Sequence, residues 1–256
     1  MKKFYSTILA TSIGAVAIVS VQTLPATALD ATEIGEKAKG FTVMISGRVS
    51  GECEGSGAII ERQGENYTVL TANHVVATTG ECFIQTADGT RYKLYEARPV
   101  PGTDVAVLNF QSNKNYAVAQ TASSQNLRPG SVLYFAGYPS PGPVNTKRSY
   151  TFYDARMTGR TQDPNEGYEL SYTGSALPGM SGGPLLDSNA RLVGIHGKAD
   201  IRSQVAVANY GVPFEVFLAR RGTINRDSQS NSAQRATPIE PPPPIPSEPV
   251  PAPVAA

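Results

Sequence analysis

Three short stretches carry side chains that could do chemistry together. Gly179-Met180-Ser181-Gly182-Gly183-Pro184 sets a serine between glycines, just before the apolar pair Leu185-Leu186. Glycines permit backbone angles and close approaches that side chains block, so such a turn presents one hydroxyl and frees backbone N–H groups for an oxyanion. Val69-Leu70-Thr71-Ala72-Asn73-His74 is a β-branched run that ends at a histidine, and Gly102-Thr103-Asp104-Val105-Ala106-Val107-Leu108 sets an aspartate at the head of another apolar run. His74, Asp104 and Ser181 are a base, an orienting carboxylate and a nucleophile, the set needed for acyl transfer. Each has a plainer reading: a Gly-rich turn, a buried hydrogen-bonded histidine, a turn aspartate. Asp154, Asp163 and Asp187 are weaker candidates for the carboxylate, since Asp163-Pro164-Asn165 reads as a turn and Asp187-Ser188-Asn189 as a hairpin tip.

The elements that must position these residues read as strands. From Phe41 onward, short apolar-rich runs alternate with turn residues, as in sandwiches and barrels. Six are expected at Phe41–Ile45, Gly57–Glu61, Tyr67–Thr71, Cys82–Thr86, Tyr92–Tyr95 and Val105–Phe110, with Asp88-Gly89 as a hairpin turn. Six more are expected at Ser131–Gly137, Tyr150–Ala155, Tyr168–Tyr172, Gly183–Leu186, Leu192–His196 and Val205–Val212. The polar stretch Gln111–Pro129 links the two groups. Phe214 to Arg221 is the one convincing helix, with Phe214, Phe217 and Leu218 at helical spacing. The fold class is therefore all-β: two six-stranded antiparallel β-barrels, the site in the cleft between them, and a short C-terminal helix.

The whole chain sets further bounds. It has 256 residues with a net charge of +1, and charged residues make up 17%, which gives no electrostatic footprint for nucleic acid. Lys2-Lys3, the apolar stretch Ile8 to Val21 and Ala26-Thr27-Ala28 follow the order of a secretory signal. The expectation is an exported protein, periplasmic or secreted, with no stable membrane span after cleavage; a retained anchor is the alternative. Cys53 and Cys82 are the only cysteines, an even count that fits a disulfide in an exported chain, with two free thiols as the alternative. Residues 238–256 hold nine of the 20 prolines. The expected organisation is a signal at 1–28, an arm or pro-segment at 29–40, barrels at 41–118 and 119–222, and a disordered Pro-rich tail at 223–256. That tail reads as a spacer, or as a ligand for a Pro-reading partner or a cell-wall tether.

The order His74, Asp104, Ser181, at intervals of 30 and 77 residues, resembles that of the trypsin-like (chymotrypsin-fold) serine peptidases. It is most similar to their bacterial branch of glutamyl endopeptidases and Deg-type proteases, over roughly residues 40 to 222. The resemblance implies a serine endopeptidase acting on peptide or protein substrates, with an oxyanion hole at the Gly179 and Ser181 amides and with no metal or organic cofactor. Met180 stands where many relatives carry an aspartate that pairs with a freed N-terminus, so that activation switch is not expected. Cys82 lies eight positions after His74 rather than beside it, so a Cys53–Cys82 bridge would join neighbouring strands by another route than the family's usual one.

On specificity, Ser175 stands six positions before Ser181, where Lys/Arg-cleaving relatives carry an aspartate. His196, in Gly194-Ile195-His196, resembles the histidine that meets the substrate carboxylate in glutamyl endopeptidases. Glu or Asp at P1 is then expected, with Ser175 or Thr173 adding a hydroxyl, although Ala176 departs from the pattern. A plain pocket or core histidine is the alternative. Two other functions stay open: a non-catalytic binding module on the same fold, and a surface protein that acts through its tail.

Overall fold

The computed structural model describes residues 29–202 and 205–222. The expected signal and the Pro-rich tail lie outside the described residues. The chain opens with helix α1 (Ala31–Phe41), where only an arm or pro-segment is expected from the sequence. Asp30 accepts from the Glu33 N–H and the Glu33 side chain reaches back to the Asp30 N–H, a reciprocal cap on the first turn. Ile34 and Ala38 lie on one face and are fully buried. The C-terminal helix is thus one of several.

The first half is a seven-stranded antiparallel sheet. Its strands are β1 (Thr42–Gly47), β2 (Gly55–Gln63), β3 (Asn66–Thr71), β4 (Cys82–Gln85), β5 (Arg91–Lys93), β6 (Ala97–Pro99) and β7 (Ala106–Gln111). They run in the order β5-β4-β1-β2-β3-β7-β6, a curled sheet whose two edges are three-residue strands. Ala97-Arg98-Pro99 adds the unexpected strand β6, and a proline fits such an edge because it has no N–H to give to a ladder. Asp88-Gly89 does form the β4–β5 hairpin turn, with Thr86 and Thr90 closing it.

The second half is a closed six-stranded barrel: β8 (Val132–Gly137), β9 (Thr151–Arg160), β10 (Leu170–Tyr172), β11 (Pro184–Leu186), β12 (Leu192–Arg202) and β13 (Val205–Pro213), in the order β10-β13-β12-β11-β8-β9. A helix over 214–222, α3, follows the last strand. One buried cluster spans both halves and a second lies within the barrel. Ile45, Ile59, Tyr67, Leu70 and Leu108 pack with α1 in the first. Leu133, Phe135, Met157, Leu170, Tyr172 and Leu185 fill the second. Fully burying side chains of this size is worth about 1.5–3 kcal/mol each.

The halves are latched to one another. The Ser56 N–H donates to Ser181 O at 2.8 Å. The Ser56 hydroxyl donates to Gly179 O at 2.8 Å and accepts from the Tyr138 N–H at 2.8 Å. Arg148, on the β8–β9 connection, donates from one guanidinium to the carbonyls of Ile45 (2.5 Å), Gly55 (2.6 Å), Tyr138 (2.6 Å) and Gly179 (3.2 Å). A disulfide joins Cys53, in the β1–β2 turn, to Cys82 at the head of β4, with Cα atoms 5.7 Å apart. It fixes the turn that leads into Gly55 and Ser56.

Candidate active site

His74 sits on α2 (Asn73–Val76), a single helical turn that begins where β3 ends. Asp104 lies in the loop before β7 and is buried. The two meet twice: His74 Nδ1 lies 2.5 Å from Asp104 Oδ2, and the His74 N–H donates to Asp104 Oδ1 at 2.8 Å. Asp104 Oδ2 also accepts a short hydrogen bond from the Tyr168 hydroxyl. Burial by itself raises the Asp104 carboxyl, but the hydrogen bonds from His74 and Tyr168 and the charge on His74 outweigh it and hold the group below the ordinary carboxylate value. Burial, and then the neighbouring Asp104 charge, push the Tyr168 phenol far above its usual value, so it stays a protonated donor.

Ser181 is partly buried in the loop before β11. Its hydroxyl donates to Gly197 O at 3.0 Å rather than to His74. Gly179 and Gly182 hold φ of +86°, in the left-handed region where a Cβ is strained. At Gly182 a Cβ would lie 2.2 Å from Ser56 O, so the glycine lets the nucleophile loop press against the first half. Among the described residues, neither the Gly179 nor the Ser181 N–H has a hydrogen-bond partner. The Met180 N–H is taken by Leu177 O at 3.1 Å, and Met180 is buried.

The rival carboxylates lie elsewhere. Asp154 is exposed on β9. Asp187 accepts from the N–H groups of Asn189 and Arg191 at a hairpin tip, and Asp163 holds a turn with φ of +51°.

His196 lies on β12 and is 2% exposed. Its Nδ1 is 2.5 Å from the Tyr172 hydroxyl, and Phe135 stacks on its ring at 5.5 Å. The hydroxyl that reaches His196 is therefore Tyr172's. Thr173 Oγ1 instead accepts from the Arg156 N–H at 2.9 Å, and Ser175 is exposed. Burial, with a smaller push from His74, lowers His196 from 6.5 to about 4.

This shift makes stability depend on pH with a definite sign. Between pH 6.5 and about 4 the unfolded chain binds a proton at this ring that the folded chain does not. Stability contributed by the neutral histidine is therefore complete above the upper limit and is lost as pH falls toward the lower one. The melting temperature is expected to drop between about pH 7 and pH 4.5, and the slope should be shallower in His196→Gln. Equal slopes in thermal melts of the two proteins would remove His196 as the cause.

Sequence reasoning did not reach Ser56, Arg148 or Tyr168. Their partners are main-chain atoms or a carboxylate, most of them far off in sequence: Asp104 lies 64 positions from Tyr168, Ile45 103 from Arg148 and Gly179 123 from Ser56. The one local signal was Ser56 itself, flanked by Gly55 and Gly57 at the head of an apolar strand.

Comparison with known proteins gives the family and the fold. The profile of the trypsin-like peptidase domain matches residues 55–195. A DegP-like periplasmic serine endoprotease of Pseudomonas putida is 31% identical over 178 residues, 68% of this chain and 35% of the relative. Periplasmic serine endoprotease DegP of Escherichia coli is 31% identical over 144 residues, 56% of this chain and 29% of that one. The chain thus spans about a third of the length of these relatives. Among solved structures, HtrA-type protease AlgW with decapeptide superposes with a TM-score of 0.62 at 21% identity, over 77% of this chain and 68% of the other, and so shares the fold. Matched over residues 55–195, and folded as a curled sheet beside a closed barrel, the chain belongs to the trypsin-like peptidase domain family.

Proposed function

We propose that this protein is an exported serine endopeptidase, in which Ser181 attacks a peptide carbonyl and passes through an acyl-enzyme. His74 takes the hydroxyl proton and returns it to the leaving amine, while Asp104 holds the imidazole in the useful tautomer and stabilises its charged form. The free Gly179 and Ser181 N–H groups receive the oxyanion. The observation that carries the reading is the double contact of Asp104 with His74, on the ring and on the backbone N–H. Rotation about the Ser181 Cα–Cβ bond, away from Gly197 O, is the step that brings the nucleophile to the base. Active-site hydrogen bonds commonly tighten only when substrate is bound.

The periplasmic relatives and the Lys2-Lys3 leader support export. No helix among the described residues is long and apolar enough to cross a membrane. The decapeptide bound to AlgW supports a peptide or protein substrate. On this reading catalysis belongs to the two halves rather than to the tail.

The finer reading is a preference for Glu or Asp at P1. Its support is His196, on the strand that also offers Gly197 O to Ser181. With Nδ1 engaged by Tyr172, the other ring nitrogen is the one left to meet a substrate carboxylate, with Thr173 and Ser175 lining the proposed pocket. Mapping by mass spectrometry the cuts made in a denatured protein mixture tests both levels, with Ser181→Ala as control. Cuts after Glu or Asp that vanish in the control are the expected result. Serine-dependent cuts after other residues keep the peptidase and overturn the role of His196. Identical digests from both proteins overturn the peptidase.

A further inference from the structure

Asp104 belongs to the first half, yet the second half holds it. Its N–H donates to Glu166 O at 2.9 Å, and its Oδ2, the oxygen that faces His74 Nδ1, also accepts from Tyr168. Both groups come from the 3₁₀ turn Asn165–Gly167 and the residue after it. Glu166 in that turn, like Asp163 just before it, has φ of +51°, a costly conformation for a residue with a Cβ. The strained segment is the one that touches Asp104.

The Tyr168 ring fits only because residue 197 is glycine. A Cβ at Gly197 would lie 2.1 Å from Tyr168 Cε1 and 2.4 Å from its hydroxyl oxygen. The Gly197 carbonyl is the one that accepts the Ser181 hydroxyl. Lys198 Nζ lies 5.2 Å from the Tyr168 ring centroid and pairs with Glu166, closing the far side. One tyrosine thus sits between the carboxylate and the strand beside the nucleophile.

We infer that Tyr168 is a positioning residue for His74, acting through Asp104 Oδ2 to fix the carboxylate against the imidazole and to draw off part of its charge. The inference rests on the peptidase reading above. One oxygen that accepts two donors serves each less strongly. Removing the Tyr168 donor therefore leaves more of the Asp104 charge to attract a protonated imidazole, and it also frees the carboxylate to turn. The first effect moves the acid limb of the pH profile to higher pH, and the second slows turnover. The other titratable or charged groups around the pair are Glu166 on the turn, Lys198 and His196 on β12, and Arg220 on α3, which donates to the carbonyls of Pro101 and Gly102. Among the described residues, only His74 and Tyr168 give side-chain hydrogen bonds to Asp104.

The test is Tyr168→Phe in the full chain, assayed on a chromogenic peptide built from a mapped cut site. A fall in kcat of about ten- to a hundredfold with KM held within about twofold is expected. The acid limb of kcat/KM should move up by about half to one pH unit. Gly197→Ala keeps the tyrosine but displaces its ring, and it should move the limb in the same direction. Thermal melts and active-site titration count the folded, competent molecules. A lower count with an unmoved acid limb assigns Tyr168 to structure alone and overturns the inference, as does unchanged kcat in both variants. If the unmodified protein has no Ser181-dependent turnover, the peptidase reading fails first. The downfield proton resonance of the His74 Nδ1–H then decides separately: displacement by Tyr168→Phe keeps the coupling, and an unmoved resonance ends it.

Discussion

Replacing Ser181 by alanine is expected to lower kcat on a peptide substrate by on the order of 10⁶-fold, and His74→Ala by a similar factor. The size follows from division of labour. Neither an imidazole without its nucleophile nor a hydroxyl without its base can form the acyl-enzyme, so each deletion removes the whole covalent route. The double variant should be no slower than either single one, because the two residues act as a unit. What survives is the rate supplied by binding and by the Gly179 and Ser181 N–H groups. Folding is nearly untouched, since the Ser181 hydroxyl gives the native state one hydrogen bond, to Gly197 O, worth about 1 kcal/mol. Steady-state kinetics beside a thermal melt settles it. A well-folded Ser181→Ala protein that keeps serine-like turnover would falsify the triad.

The second large effect belongs to a residue that touches no substrate. Arg148→Lys is expected to destabilise the fold by about 2–4 kcal/mol and to lower kcat at least about tenfold. The guanidinium spans four carbonyls drawn from both halves, in one planar fork. An ammonium has a single centre with three donors and cannot reach all four, so carbonyls in a poorly solvated seam lose partners. Burial already presses the Arg148 guanidinium below its usual value, with Glu54 opposing, which marks the seam as costly for a charge. Catalysis suffers because one of the four is Gly179 O, and Gly179 also carries a proposed oxyanion donor. An unchanged melting temperature in Arg148→Lys would remove the clamp from the account.

The strands were legible because β-branched and apolar residues alternate with turn residues, and twelve of the thirteen strands among the described residues fall on expected runs. The missed one, β6, is three residues ending in proline, too short to show a period. Helix α1 was hidden by its composition. Its eleven residues put only Ile34, Gly35, Ala38 and Phe41 in the core, and its two glycines weaken the helical signal, although the Asp30 and Glu33 cap was readable. The His74, Asp104 and Ser181 motifs stood out because glycines and strand ends mark them locally. Ser56, Arg148 and Tyr168 did not, because what they bind is set by how the halves meet rather than by neighbours in sequence. Thr173 and His196 show the same limit: both are near the site in sequence terms, but β9 takes one hydroxyl and Tyr172 takes the other ring.

Helix α1 has a consequence in time as well as in space. Its Gly35 carbonyl accepts from the Tyr150 hydroxyl at 2.8 Å, across 115 residues, and Gly35 lies under the Phe152 ring. A helix of 11 residues does not hold itself together alone in water. A chain made from its N-terminus therefore presents this helix long before the Tyr150 and Phe152 side of its seat. Such distant contacts form slowly, since a long loop must close before any contact rewards it. Part of the seat of α1, at Tyr150 and Phe152, is thus made more than a hundred residues after the helix itself.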